Sequence, residues 1–160
     1  MDDRSFVIVR HAKSAWPDGV PDPQRPLNRR GRRDAPAVGR WVRERVGPLD
    51  AVVCSPATRA RQTWELIAGE LDRPPAPDFD ERVYAASADT LLAVVRGVPK
   101  AAGSVLMVGH NPGVADLLAA LTGETLEVKT STVAVLGLTC SWADAAPGIA
   151  RLVAHATPRG

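Results

Sequence analysis

The run Val7-Ile8-Val9 ends abruptly at Arg10-His11-Ala12. A short β-branched run of this kind is the pattern of a parallel strand covered on both faces, which calls for an α/β chain with helices above and below its sheet. Open α/β sheets collect ligand chemistry at the carboxyl ends of their strands, so Arg10 and His11 are expected at the floor of a site. A histidine at a strand end also has a plain structural reading, so the rest of the chain must supply its partners.

Two further segments repeat the pattern. Ala51-Val52-Val53-Cys54-Ser55 runs into Pro56-Ala57-Thr58-Arg59, and Ser104-Val105-Leu106-Met107-Val108 runs into Gly109-His110-Asn111-Pro112-Gly113. In a doubly wound sheet these three ends converge on one crevice and bring Arg10, His11, Arg59 and His110 together. Guanidinium groups make planar, multidentate clamps for phosphoryl oxygens, and an imidazole among them can act as a nucleophile. Neighbouring arginine charge should lower the pKa of His11 and keep it neutral, while Arg10, Arg59 and a protonated His110 would stabilise the transferring phosphoryl group without a metal.

Between these ends the chain reads as follows. Trp16 to Pro26 holds four prolines and a glycine and is expected to be a stiff, irregular loop. Asn28 offers an N-cap to a helix carrying Ala35, Val38, Trp41, Val42 and Val46 on one face, with Pro36 expected to kink it or delay its start and Gly47-Pro48 to end it. A second helix is expected from Thr58 to about Leu71, a short strand within Asp72–Phe79, a third helix capped by Ser87, and a fourth from Gly113 to Leu121. Thr132–Leu138 and Ile149–His155 read as an antiparallel hairpin or sheet edge. The fold class is α/β, a three-layer αβα sandwich with a mainly parallel central sheet and antiparallel edge strands, formed by residues 1–160 as one domain.

Composition removes several function classes. Twenty basic and eighteen acidic residues leave a formal charge of +2, which makes no general case for nucleic acid, so any positive potential must be local. Two cysteines far apart, Cys54 and Cys140, suggest neither a disulfide framework nor a zinc site. No apolar run approaches membrane-spanning length and the acidic N-terminus lacks a signal-peptide core, so a soluble cytoplasmic protein, with a monomer favoured, is expected. No cofactor is called for.

Arg10-His11-Ala12, Ser55-Pro56-Ala57-Thr58-Arg59-Ala60-Arg61-Gln62-Thr63 and Gly109-His110-Asn111, in this order, resemble the motifs of the histidine phosphatase superfamily of phosphoglycerate-mutase-like fold. Alanine stands at position 12 where the family's motif has glycine. The resemblance implies His11 as the phosphorylated nucleophile and Arg10, Arg59 and His110 as the phosphate pocket. Arg10-His11-Ala12-Lys13-Ser14 and Val108 to Gly113 are most similar to the small phosphohistidine phosphatases of SixA type. Only 28 residues separate Glu81 from His110, too few for the lid of mutase-type members. Pro17 also stands where those members often place a phosphate-contacting asparagine.

The expected partner is therefore a phosphorylated protein bearing phosphohistidine, or a small phosphate ester, and not a membrane. Asp80-Glu81-Arg82-Val83-Tyr84 resembles the segment that supplies a general acid in mutase-like members, which gives Glu81 two readings, catalytic acid or surface residue. A phosphohistidine leaving group needs such an acid less than an alkoxide does. Ser14 is a candidate substrate-binding residue, and Trp16 is the tryptophan expected to line the site. Arg29, Arg30, Arg32 and Arg33 read either as a solvated helix face or as a docking patch. Cys54 and His155 read as structural. A module that captures phosphorylated partners without turnover is the reading from another class, and the presence of all four motif residues speaks against it.

Overall fold

A computed structural model describes residues 4–160, in which strands and helices alternate before a final hairpin. In chain order the elements are β1 (Arg4–Arg10), α1 (Arg29–Arg45), β2 (Ala51–Cys54), α2 (Thr58–Ala68), β3 (Pro77–Phe79), α3 (Ala88–Arg96), β4 (Ser104–Gly109), α4 (Gly113–Thr122), β5 (Val133–Leu138) and β6 (Ala150–Ala156). They form one sheet in the order β3-β2-β4-β1-β5-β6. Its first four members are parallel, and β5 and β6 join antiparallel, as the change of pattern after residue 130 implies.

β1 is uniformly apolar because both its faces are covered. Val7 and Val9 point into a core with Val38 and Val42 of α1 and Ala60, Trp64 and Ile67 of α2. Phe6 and Ile8 point the other way, toward Leu91 and Val95 of α3 and Leu117 and Leu121 of α4. Trp142 closes this second core, edge-on to Phe6 with its Nε1 donating to the Ala102 carbonyl at 2.7 Å. Burial on this scale is the main stabilising term, and truncating a side chain such as Trp142 to alanine costs about 3–5 kcal/mol.

Register decides where the site forms. Arg10 pairs with Gly109, and Cys54 and Val9 both pair with Val108, so β1, β2 and β4 end level with one another. The His11 amide donates to the Gly109 carbonyl at 3.0 Å and the Ser55 amide to the Val108 carbonyl at 3.1 Å, extending the ladder to the residues that matter. The loop carbonyls bind on the other side too, because the Ser131 amide donates to Arg10 and His11 carbonyls at 3.1 and 3.2 Å.

Local signals place most boundaries. Asn28 caps α1 by accepting from the Gly31 amide at 2.9 Å, and Ser87 caps α3 by accepting from the Thr90 amide at 3.2 Å. Gly47, at φ +84°, follows the end of α1, and its amide donates to the Val42 carbonyl. Three expectations are corrected. Of the two effects expected of Pro36, a kink or a delayed start, the delay is absent: α1 starts at Arg29 on its Asn28 cap and runs through the proline. α2 stops at Ala68, because Gly69 follows and the chain turns through Leu71 with bonds spanning three residues. The proline loop is not wholly irregular, since Asp22–Gln24 makes a single 3-10 turn with Pro23 at its start, where a missing amide costs nothing.

Candidate active site

The level strand ends put the two histidines face to face, with ring centroids 5.0 Å apart and both residues buried. His11 Nδ1 donates to the carbonyl of Ala12 at 2.8 Å, which assigns the proton to Nδ1 and leaves the lone pair on Nε2. The following amide, Ala12 N–H, donates to Thr63 Oγ1 at 3.0 Å, and that hydroxyl donates back to the Arg59 carbonyl at 2.7 Å. The loop that holds His11 is thereby bonded to the first turn of α2, which carries Arg59.

His110 is oriented from β2. Its Nε2 lies 2.7 Å from Ser55 Oγ, which accepts from the Ala57 amide at 3.2 Å and has no other acceptor for its own proton among the described residues. That donation makes Nε2 the acceptor and Nδ1 the N–H. Nδ1 of His110, Nε of Arg10 and Nε of Arg59 are all buried and without a protein partner. Buried donors are paired in nearly all folded structures, so three unpaired ones beside His11 mark a place for an external acceptor.

Burial holds both rings neutral. The His11 pKa is pushed down to about 3, by burial first; the Ala12 bond opposes this as the next largest effect, and proximity to His110, Arg59 and Arg10 adds smaller depressions. The His110 pKa is pushed down to about 4, again by burial first, with Arg59 adding to the depression. The expected neutral His11 agrees with this environment. The expected protonated His110 does not, because burial and arginine charge disfavour a second cation; a neutral ring with Nδ1–H still supplies a donor.

Arg10 donates through Nη1 to the Val128 carbonyl at 3.1 Å, and Asn111 Nδ2 reaches the same carbonyl at 2.8 Å. Arg59 is held from the proline loop: Nη1 donates to the Asp22 carbonyl at 2.8 Å and Nη2 to Asp22 Oδ2 at 3.1 Å. The same carboxylate accepts from Arg25 Nε at 3.0 Å and from the Tyr84 hydroxyl. Tyr84 foremost, then Arg25 and Arg59, hold the Asp22 carboxyl far below the usual carboxylate range, so it stays ionised. Tyr84 in turn stands edge-on to His110 with centroids 5.5 Å apart.

Asp22, Arg25, Tyr84 and Ser55 were not singled out from the sequence. Ser14, which was, is buried and accepts from Arg25 Nη1 at 2.8 Å, and so positions that arginine. Trp16 is 75% exposed and stacks on the Arg25 guanidinium at 3.4 Å from its ring centroid. Glu81 sits in the short 3-10 turn before Tyr84, exposed, its carbonyl accepting from the Tyr84 amide and its side chain with no hydrogen bond or ion pair among the described residues. Cys54 is buried packing, its thiol pushed up to about 12 by burial, and His155 stands exposed on β6. Among the described residues no group of three His, Cys, Asp or Glu side chains is placed to hold a metal ion, and no helix is long and apolar enough to cross a membrane.

The model of the histidine phosphatase superfamily, branch 1, matches residues 6–86. The chain belongs to that superfamily. An uncharacterized protein of Mycobacterium tuberculosis is 41% identical over 162 residues, covering 94% of this chain and all of the relative. Among solved structures, a protein described as a SixA phosphohistidine phosphatase of Nakamurella multipartitia aligns with a TM-score of 0.89 at 33% identity over 97% of this chain and 96% of that one. The protein histidine phosphatase SixA complexed with tungstate aligns at 0.84 and 25% identity over 96% and 97%. The superfamily member is of SixA type and is a histidine-nucleophile phosphatase of phosphoglycerate-mutase-like fold.

Proposed function

We propose that His11 is the nucleophile and that the substrate is protein phosphohistidine. The lone pair on His11 Nε2 attacks phosphorus, and the P–N bond of the substrate breaks as its electron pair returns to the leaving imidazole. That ring departs neutral when its other nitrogen already carries a proton. Water then attacks the phosphoryl group on His11, releasing inorganic phosphate and restoring the ring. Arg10 and Arg59 neutralise charge on the transferring oxygens and His110 Nδ1–H donates to them, which places fixed donors where charge develops.

The observation that carries the choice of substrate is the state of the carboxylates. Asp22 is held ionised by Tyr84, Arg25 and Arg59 and has no proton to give, and Glu81 is exposed without a bond to the pocket. Expulsion of an alkoxide gains from a positioned acid, whereas expulsion of a protonated phosphohistidine ring does not. The second reading, a small phosphate monoester with Glu81 as general acid, has one feature in its favour. A hollow of about 450 Å³ beside His110, lined by Ala85, Ser87, Asn111 and Asp116, is large enough for a small leaving group.

Side-by-side turnover of a phosphohistidine protein and a panel of phosphate esters, with His11→Ala as control, tests both. Phosphohistidine is expected to be hydrolysed faster, with activity intact in chelator and lost in His11→Ala. Glu81→Gln is expected to change turnover of phosphohistidine by less than about twofold; a sharp loss on esters, with esters the better substrates, would establish the second reading.

A further inference from the structure

A second concave surface adjoins the site on the far side of Arg10. It has a volume of about 390 Å³ and is lined by Arg10, Lys13, Arg30, Lys129 and Arg159, with Glu127 as its acidic member. Beneath it, Asp34 is buried and paired with Arg159 at 2.8 Å and Arg30 at 3.5 Å. Five basic side chains thus stand against two acidic ones, a local excess of positive charge in a chain whose total formal charge is only +2. Arg29, Arg32 and Arg33, which with Arg30 read either as a solvated helix face or as a docking patch, do not line this surface, and Arg32 is engaged with the Leu27 carbonyl at 2.7 Å.

We propose that this cleft docks the acidic surface of a phosphohistidine-bearing protein while the phosphoryl group enters the pocket at His11. The proposal rests on the substrate class argued above and adds the partner's charge and its place of contact. Arg10 belongs to both surfaces: its guanidinium is tied to the Val128 carbonyl, and Val128 lies in the wall of the cleft. A phosphoryl group at Arg10 and an acidic group at Lys13 or Lys129 would belong to neighbouring parts of one ligand.

A protein fits this surface better than a small polyanion does. Small-molecule sites fix their polar groups by burial. Here Lys13 is exposed and without an ion-pair partner among the described residues, and Lys129 is 57% exposed with Glu127 at 3.9 Å. Exposed flexible ammonium groups contribute little to affinity pair by pair, but they steer an oppositely charged partner and raise its encounter rate in a salt-dependent way.

The test compares wild type with the double variant Lys129→Glu, Arg30→Gln on three substrates: an acidic protein phosphorylated on histidine with phosphoramidate, free phosphohistidine, and p-nitrophenyl phosphate. The expected result is a fall of roughly tenfold in kcat/KM for the phosphoprotein, a weaker dependence of that value on ionic strength, and less than about twofold change for the two small substrates. Unchanged kcat/KM for the phosphoprotein overturns the proposal, and so does an equal loss on all three. Circular dichroism and thermal melting separate misfolding from lost docking, and the single variant Lys129→Ala, whose side chain takes no part in the Asp34 pairs, repeats the measurement with the smaller expected loss of about threefold. If wild type turns over the ester but neither phosphohistidine substrate, it is the substrate reading that has failed; if it turns over both phosphohistidine substrates and the variants do so equally, it is the docking surface.

Discussion

Asp22 engages Arg59 twice, through its carbonyl at 2.8 Å and its carboxylate at 3.1 Å, so the arginine assigned to the phosphoryl group already carries an internal anion. On the proposed role of Arg59, an incoming phosphoryl group is expected to compete with that carboxylate for the guanidinium. Asp22→Asn removes the charge while leaving the carbonyl bond that orients Arg59. Inorganic phosphate is expected to inhibit the variant at a concentration roughly three to ten times lower than wild type, equivalent to about 1 kcal/mol for a pair whose carboxylate is 46% exposed. Weaker phosphate inhibition would show that the carboxylate serves chiefly to hold Arg59 in place.

The depressed histidine pKa values bear on stability. His11 at about 3 and His110 at about 4 lie below the ordinary 6.5, so between these values the unfolded chain binds protons that the folded chain excludes. Stability from these two groups is therefore present above about pH 6.5 and is lost as pH falls through the window toward their folded values. Each contributes a slope of at most about 1.4 kcal/mol per pH unit. Urea midpoints measured from pH 7 to pH 4.5 are expected to fall steeply for wild type and less steeply for the double variant His11→Asn, His110→Asn. An identical slope would assign the acid sensitivity to other groups.

What was legible in the sequence was local. Three apolar runs broken by Arg-His, Ser-Pro and Gly-His are strands ending level in one sheet, and Asn28 and Ser87 cap the helices they precede, because strand burial and capping depend on near neighbours. Asp22, Arg25 and Tyr84 were not legible, because their meaning lies in contacts between loops: Asp22 meets Arg59 across 37 positions and Tyr84 across 62. The one available sign was Arg25 between Gln24 and Pro26 in a loop otherwise free of arginine, and nothing in that pattern says that the residue is buried. The charge state of His110 failed for a related reason. It depends on how deeply the ring is buried, which spacing does not encode.

Ser55 connects the second motif to the third. Ser55→Ala removes the partner of His110 Nε2 and leaves a buried ring nitrogen unpaired, a loss of about 1–3 kcal/mol. The ring is then free to rotate its Nδ1–H away from the phosphoryl position. A fall in kcat of roughly tenfold, with KM changed less, is expected from steady-state kinetics on the preferred substrate. Unchanged kcat would restrict Ser55 to its bond with the Ala57 amide.

Gly31, in the first turn of α1, lies against the loop that follows His11. A Cβ there would stand 2.1 Å from the Lys13 carbonyl oxygen, which also accepts from the Asn28 amide at 3.0 Å, and backbone on both sides leaves no flexible group to move aside. Gly31→Ala is therefore expected to destabilise the fold by about 1–3 kcal/mol and to shift Lys13 and its neighbours, lowering kcat as well as the melting temperature. Gly69, which follows α2 with no contact closer than 3.6 Å at its Cβ position and with φ −60°, is the matched control. Gly69→Ala should leave kcat unchanged and raise stability by up to about 1 kcal/mol through the unfolded chain. If Gly31→Ala melts with wild type while its kcat falls, the strain is taken up entirely in the His11 loop; if both variants match wild type, α1 does not support that loop in the way its close approach implies.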